Sequence, residues 1–318
     1  MKKAAFLFPG QGSQFVGMGR DLYDSYPAVR DLYDRADEVL GTELRRISFR
    51  GPLEELTLTR NAQPAILLHS VGVLLVARDR GLQPTVVAGH SLGEFSALVA
   101  AGTLDPLDAA RIVRRRGELM YDAGERRPGT MAAVLGLEEE VVSSRCARAA
   151  EEAGGEVVVA NLNAPGQVVI SGDVGAVERA MEKCRDAGAA RVVPLQVSGA
   201  FHSPLMEPAR EGLAEYLEAF SFREPRATVV VNVTGRVVSS AAEIRGALTR
   251  QLTSPVRWSD SMQTLTNLWE EAIVEAGPGR VLAGLMRKID RRSPVTSVGD
   301  VEALEKLTGS AGTSAAGS

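Results

Sequence analysis

Histidine and cysteine are both scarce in this chain: three of the first and two of the second among 318 residues. Cys146 and Cys184 have no neighbour at metal-ligand spacing. They read as free, buried or partly buried thiols in a reducing compartment, which argues against a zinc module or a disulfide scaffold. No apolar stretch approaches the roughly 18 residues of a membrane span. The basic and then apolar N-terminus, Met1–Phe8, is stopped by Pro9-Gly10-Gln11-Gly12 before it reaches signal-peptide length, and it reads as a short buried strand. Excess positive charge is lacking too. The net charge is −4, so composition gives no case for binding nucleic acid. What the chain does have is 45% apolar residues, enough for a sizeable core, and an ordinary 24% of charged ones. Its length fits one large domain with an insert, or two domains, and the free thiols are those expected of a cytoplasmic protein.

The order of elements points to the first of these. Ala4–Phe8 is the first strand, and the glycines of the following loop, Pro9–Gln14, let main-chain amides approach a ligand. A helix rich in Asp, Tyr and Arg runs to about Leu40. Gln63–Ala77 is a strongly apolar helix with Pro64 in its first turn. Thr85–Ala88 is a buried strand that passes through Gly89–Gly93 into a small-residue helix, Glu94–Ala101, closed by Gly102. Apolar strands alternating with helices predict a parallel sheet covered on both faces.

Gly124–Gly129 reads as a linker. Beyond it Thr130–Leu135, Glu138–Ala153, Val157–Asn161, Gln167–Ser171, Val174–Ala187 and Arg191–Gln196 spell β-α-β-β-α-β, the order of a ferredoxin-like unit. A helix to Phe220, a strand at Thr228–Val233, a helix to about Leu252, a strand near Ala272–Glu275 and a last helix to about Ile289 return to the α/β pattern. The expected architecture is therefore one large α/β-hydrolase-like domain, 1–126 and 198–307, with a parallel sheet and an inserted ferredoxin-like subdomain, 127–197. Residues 308–318, only Gly, Ser, Ala and Thr, are expected to be a disordered tail.

Gly89-His90-Ser91-Leu92-Gly93 has the G-x-S-x-G form between a strand and a helix. That setting strains the turn so that the serine Oγ projects free, and the helix start offers unpaired amides to a reacting oxygen. Ser91 is the candidate nucleophile. Of the three histidines, His69 lies inside an apolar helix and reads as core. His90 adjoins the serine and reads as a support of the turn. His202, in Gly199-Ala200-Phe201-His202-Ser203-Pro204, sits in a shaped loop and is the candidate base, with an imidazole pKa expected near the ordinary 6.5. No acidic residue between Ser91 and His202 stands in an evident post-strand loop, and Asp173 reads as a helix N-cap. The expectation is a Ser–His dyad whose imidazole is oriented by a backbone or amide group. On a helical wheel Arg116 falls among Ala109, Ile112, Val113, Leu119 and Met120, whereas Arg111, Arg114, Arg115 and Glu118 fall on the opposite, solvated face. A buried guanidinium needs an anionic partner, either an internal acid or a substrate carboxylate gripped bidentately.

These stretches, with Asn161-Leu162-Asn163-Ala164-Pro165-Gly166-Gln167 and Gln251-Leu252-Thr253-Ser254-Pro255-Val256-Arg257-Trp258, resemble the malonyl-CoA:acyl carrier protein transacylase family. Gly93-Glu94-Phe95-Ser96-Ala97-Leu98 and Gly117-Glu118-Leu119-Met120 look most like the discrete, trans-acting acyltransferases of polyketide synthases, near relatives of the fatty-acid enzyme. The resemblance implies that Ser91 carries the malonyl group as an ester with His202 as base. It implies that Gln11 and Leu92 supply the oxyanion-hole amides and that Arg116 grips the malonyl carboxylate. It places the Gln251 carbonyl behind the histidine, Phe201 at a position tied to the choice of malonyl over branched units, and His90 and Asn161 at the substrate site.

No cofactor and no metal is expected, the coenzyme A thioester being a substrate. The expected partners are malonyl-CoA and a phosphopantetheinylated acyl carrier protein, with no nucleic acid, no membrane and a monomeric enzyme. Arg287, Lys288, Arg291 and Arg292 form a basic run that reads as solvated surface, with carrier docking as the alternative. Three other readings stay open: a serine acyl-hydrolase using the same pair, a related extender unit as acyl donor, and an inactive carrier-docking module.

Overall fold

The computed structural model describes residues 2–309. In chain order the first part is β1 (Lys2–Phe8), α1 (Arg20–Ser25), α2 (Pro27–Leu40), α3 (Leu44–Arg50), α4 (Leu53–Thr57), α5 (Thr59–Asp79), β2 (Leu82–Gly89), α6 (Gly93–Ala100) and α7 (Pro106–Arg126). The middle is β3 (Gly129–Leu135), α8 (Glu139–Ala153), β4 (Val157–Ala164), β5 (Gln167–Asp173), α9 (Val174–Asp186) and β6 (Arg191–Pro194). The last part is α10 (Glu207–Leu217), β7 (Thr228–Val230), β8 (Val237–Val238), α11 (Ala241–Gln251), α12 (Trp258–Leu268), β9 (Ile273–Ala276), α13 (Val281–Ile289), β10 (Val295–Val298) and α14 (Val301–Thr308).

Two sheets result. The larger has the order β10-β9-β1-β2-β7-β8. Its neighbours run parallel from β10 to β7, and only the two-residue β8 turns back antiparallel on β7. Ala4–Phe8 of β1 are all inaccessible to solvent, as an apolar central strand covered on both faces must be. The smaller sheet, β4-β5-β3-β6, is antiparallel throughout. Its own core joins β-strand residues Val134, Val168 and Ile170 to Val142 and Cys146 of α8 and Val177 and Cys184 of α9. This is the α/β sheet with a separate ferredoxin-like layer. The two are stitched where Leu162 N–H donates to the Val256 carbonyl and Val256 N–H to that of Ala160, both at 2.9 Å.

Several expected boundaries moved. The Gly124–Gly129 linker is instead the end of α7, one extended residue pair and the start of β3. Gly124 is there because a Cβ would lie 2.3 Å from the Ser198 carbonyl oxygen: the glycine marks a close approach, not a flexible joint. Helix α5 starts at Thr59, so Pro64 lies inside it. Proline cannot donate to the Arg60 carbonyl four residues back. Arg114 Nη1 of α7 takes that acceptor at 3.2 Å. Arg114 also bonds Glu118 and Asn61, both at 2.7 Å, so it ties α7 to α5 rather than lying on a solvated face. Asp173 sits at the start of α9 without capping it and instead pairs with Arg127 at 2.7 Å. After α13 the chain adds β10 and α14, which the sequence pattern does not announce. Of the expected tail, Thr308 ends α14, and residues 310–318 lie outside the described residues.

Candidate active site

Strand β2 runs straight into the turn that carries Ser91. Close packing dictates the two flanking glycines. A Cβ on Gly89 would lie 1.9 Å from the Gly93 carbonyl, and one on Gly93 would lie 2.0 Å from the Phe8 carbonyl oxygen. With helix and strand so close, the turn between them is tight, and Ser91 adopts φ 51°. Among the described residues only one other non-glycine has positive φ: His202, at 59°. Two residues in this costly region, far apart in sequence and adjacent in space, mark a site the surrounding fold holds under strain.

His202 Nε2 lies 2.8 Å from Ser91 Oγ. On the far side of the ring Nδ1 lies 2.9 Å from the Gln251 carbonyl oxygen. A carbonyl can only accept, so Nδ1 carries the hydrogen and Nε2 presents its lone pair to the serine. The far side of the ring is thus held by a backbone carbonyl and not by a carboxylate. The imidazole is not at its ordinary pKa: burial, and then the Arg116 charge, push it down to about 3. The ring is neutral wherever the protein is folded at ordinary pH, which is the form that can accept the serine proton.

Arg116, on the inner face of α7, is 1% exposed. Its Nη1 donates to Gln63 Oε1 at 2.8 Å, and its Nη2 to Gln251 Oε1 at 2.9 Å and to Ser91 Oγ at 3.2 Å. Its Cζ stands 5.8 Å from the centre of the Phe95 ring. Among the described residues no carboxylate bonds it directly. Glu94, also 1% exposed, is the acid whose charge reaches it, and the Gln251 amide stands between the two. Burial lowers the Arg116 pKa to about 10, with Glu94 opposing the shift.

The cleft above Ser91 has a volume of about 320 Å³. Gln11, His90, Leu92, Arg116, Phe201 and His202 line it from the large sheet's side, and Met131, Asn161 and Val197 from the other. Gln251 does not line it but supports Arg116 and His202 from behind. Neither the Gln11 nor the Leu92 main-chain N–H donates to a protein acceptor among the described residues. The Gln11 side chain is tied to Thr59 Oγ1 at 3.2 Å, and the residue lines the cleft. His90 bonds Asn163 at 2.8 Å and packs on Trp258, which fixes the turn from outside. A larger hollow of about 580 Å³ between the Gly17–Asp24 segment and the Gly279–Arg280 turn holds neither Ser91 nor any histidine.

Three polar residues escape a reading of the sequence alone. Asn232, just past β7, accepts the Ser91 N–H at 2.7 Å and donates to the Gly89 carbonyl at 2.7 Å, clamping the turn at both ends. Glu94 accepts from Asn232 N–H and Gln251 Nε2, both at 3.0 Å. Gln63 orients Arg116. An asparagine ending the apolar run Val229-Val230-Val231 was the available signal, since a polar side chain there is buried and must be bonded. The other expected positions fall as follows. His69 is buried in α5 with Nε2 2.7 Å from the Gly299 carbonyl oxygen. Cys146 and Cys184 are free and buried. Arg287, Lys288, Arg291 and Arg292 lie at and just beyond the end of α13, towards solvent. Among the described residues no group of three potential ligands could hold a metal ion, and no helix is long and apolar enough to cross a membrane.

Comparison with known proteins matches residues 5–306 to the acyl transferase domain family. The chain is 48% identical to the malonyl CoA-acyl carrier protein transacylase of Bacillus subtilis, over 96% of each chain. It is 44% identical to that of Escherichia coli, over 91% of this chain and 93% of the other. Among solved structures it superposes with a TM-score of 0.92, at 42% identity, on a malonyl-transacylase in complex with a type II polyketide synthase acyl-carrier protein, covering 97% of this chain and 99% of that one. The corresponding enzyme of Streptococcus pneumoniae gives 0.91 at 44% identity, covering 96% and 99%.

Proposed function

This chain belongs to the acyl transferase domain family, and we propose on that footing that it moves a malonyl group from malonyl-CoA to the phosphopantetheine thiol of an acyl carrier protein through an ester on Ser91. The observation that carries the choice of acyl group is the buried guanidinium of Arg116, bonded directly to no carboxylate among the described residues and 3.2 Å from Ser91 Oγ. A malonyl carboxylate reaching Arg116 sets its thioester carbonyl beside Ser91 Oγ, and binding energy at one end becomes orientation at the other.

His202 Nε2 takes the Ser91 proton as Oγ attacks the thioester carbon. The resulting oxyanion lies against the free N–H groups of Gln11 and Leu92, each such donor being worth about 3 kcal/mol in a transition state. The carbon–sulfur bond breaks, His202 returns its proton to the departing coenzyme A sulfur, and malonyl-Ser91 remains. The carrier thiol then repeats the sequence in reverse, giving malonyl-carrier for chain extension in polyketide or fatty-acid synthesis. Phe201, in the cleft wall, crowds a branch at the second carbon, a preference of about 1–3 kcal/mol. The same proposal takes the enzyme as a Ser–His dyad enzyme, monomeric and cytoplasmic, acting in trans on its carrier, and needing no cofactor.

Intact-mass measurement after mixing with malonyl-CoA tests this. A malonyl adduct is expected on the protein, absent from Ser91→Ala and transferred on adding holo-carrier; release of free malonate alone would mark a hydrolase. Arg116→Ala is expected to lower malonyl loading about 100-fold or more, the loss of a buried charge-assisted pair, while acetyl loading holds or improves. Equal loss of both would remove the carboxylate role.

A further inference from the structure

Glu94 is the buried acid that the proposed mechanism leaves without a task. It stands on α6, three residues beyond Ser91, and faces Arg116 from α7, Gln251 from α11 and Asn232 beyond β7. Its Oε2 accepts from Gln251 Nε2 and from the Asn232 N–H, and its Oε1 has no partner at all among the described residues. The Gln251 amide is ambiguous in itself, since oxygen and nitrogen are interchangeable in shape. Two pure acceptors, Glu94 Oε2 at 3.0 Å and the Ser91 carbonyl at 3.1 Å, fix the nitrogen on their side. The amide oxygen is thereby turned to Arg116 Nη2, and the backbone of the same residue holds His202. We propose that Glu94 is a positioning residue that aims Arg116 through the Gln251 amide, and that its Oε1 takes a proton from solution when a carboxylate-bearing acyl group pairs with Arg116. The inference rests on the carboxylate role of Arg116 given above.

The reason is charge balance in a closed space. The empty site holds one guanidinium and one nearby carboxylate. A malonyl group brings a second carboxylate to the same guanidinium, and two buried anions cannot share one cation without cost. Burial already raises the Glu94 carboxyl to about 7, against the Asn232 N–H, the Gln251 amide and the Arg116 charge, which favour its ionised form. Once Arg116 is engaged by substrate, less of its field reaches Glu94, and protonation is favoured further. The unpartnered Oε1 is the atom free to carry that proton; no bond between heavy atoms forms or breaks. Burial pushes His202 and His90 down from the ordinary imidazole value, which disfavours their charged forms as Glu94 titrates. A neutral acyl group, such as acetyl, brings no second charge and calls for no proton.

Two measurements test this on the full-length enzyme. Proton uptake is read with a pH indicator in weak buffer near neutrality on adding malonyl-CoA or acetyl-CoA. A fraction of a proton per enzyme should be taken up with malonyl and none with acetyl; equal uptake with both, or none with either, overturns the inference even if every variant fails to fold. Loading kinetics on the wild type and Glu94→Gln are then followed between about pH 5.5 and about pH 8.5, a span that brackets the carboxyl. The wild-type malonyl-over-acetyl preference should fall by about fivefold or more as pH rises, the size of an ordinary coupling between sites. The change belongs in KM rather than kcat, and in Glu94→Gln the preference should be level. Parallel pH profiles in the two proteins would sink the proposal. Arg116→Ala separates the failures. If malonyl loading ignores that substitution, the carboxylate role of Arg116 is wrong; if it depends on Arg116 but no proton is taken up, the Glu94 inference alone is wrong.

Discussion

Asn232 does not line the cleft, yet its side chain closes both ends of the turn that carries Ser91. Removing it leaves the Ser91 N–H and the Gly89 carbonyl to find other partners in a dry setting, at about 1–3 kcal/mol for each buried group left unpaired. We expect Asn232→Ala to slow malonyl loading about 10–100-fold through kcat, with KM nearly unchanged, as measured by quenched-flow adduct formation; a pure rise in KM would assign Asn232 to substrate binding instead. The residues of the site differ in how well the sequence announced them. Ser91 was legible because its glycines have a steric duty that leaves a pattern. Arg116 was legible because a charge at a core position of a helix breaks an otherwise apolar arc. Asn232, Glu94 and Gln63 left no comparable trace, since their partners come from distant segments and a single polar letter does not say what it bonds. The His202 pKa was misjudged for the same reason: its shift comes from burial and from Arg116, neither of which is local to its loop.

At the scale of elements, the approach of α6 to β1 decides whether the turn can exist. Gly93 begins α6 where any side chain would run into the Phe8 carbonyl. Gly93→Ala is expected to force helix and strand apart, to destabilise the fold by about 1–3 kcal/mol and to abolish loading, read from the urea midpoint and from intact mass; an alanine variant of wild-type stability would show that the helix has room to move. Element types were legible where apolar periodicity was long, as in α5, α7 and the β-α-β-β-α-β run. Their ends were not. Helix α5 gains its first turn because Arg114 of α7 satisfies the carbonyl that Pro64 abandons, and a cross-helix bond of that kind is invisible to local signals. Strands β8 and β10, of two and four residues, are too short to set a period, whereas α12 does carry a helical stripe, Trp258, Met262 and Leu265, that goes unread beside the stronger motif before it.

For the molecule as a whole, the site exists because two sheets meet. The large α/β layer supplies Ser91, His202 and Arg116, and the antiparallel layer supplies the opposing wall through Met131, Asn161 and Val169. The Asn161–Val256 bridge fastens that wall five residues beyond Gln251, close to the residue that holds both His202 and Arg116. Both layers were legible from the order of their elements; their closure over one cleft was not, because it depends on contacts between segments distant along the chain. The left-handed backbone at Ser91 and His202 has one further consequence, and it concerns heat rather than chemistry. With the hydroxyl gone in both variants, Ser91→Gly should melt above Ser91→Ala by the worth of about 1 kcal/mol, reversing the usual order of glycine and alanine. A differential scan in which alanine is the hardier of the two would mean the backbone there is relaxed. The twist at Ser91 is thus a standing charge against durability, and the bonds its hydroxyl makes to His202 and Arg116 are what offset it in the working enzyme.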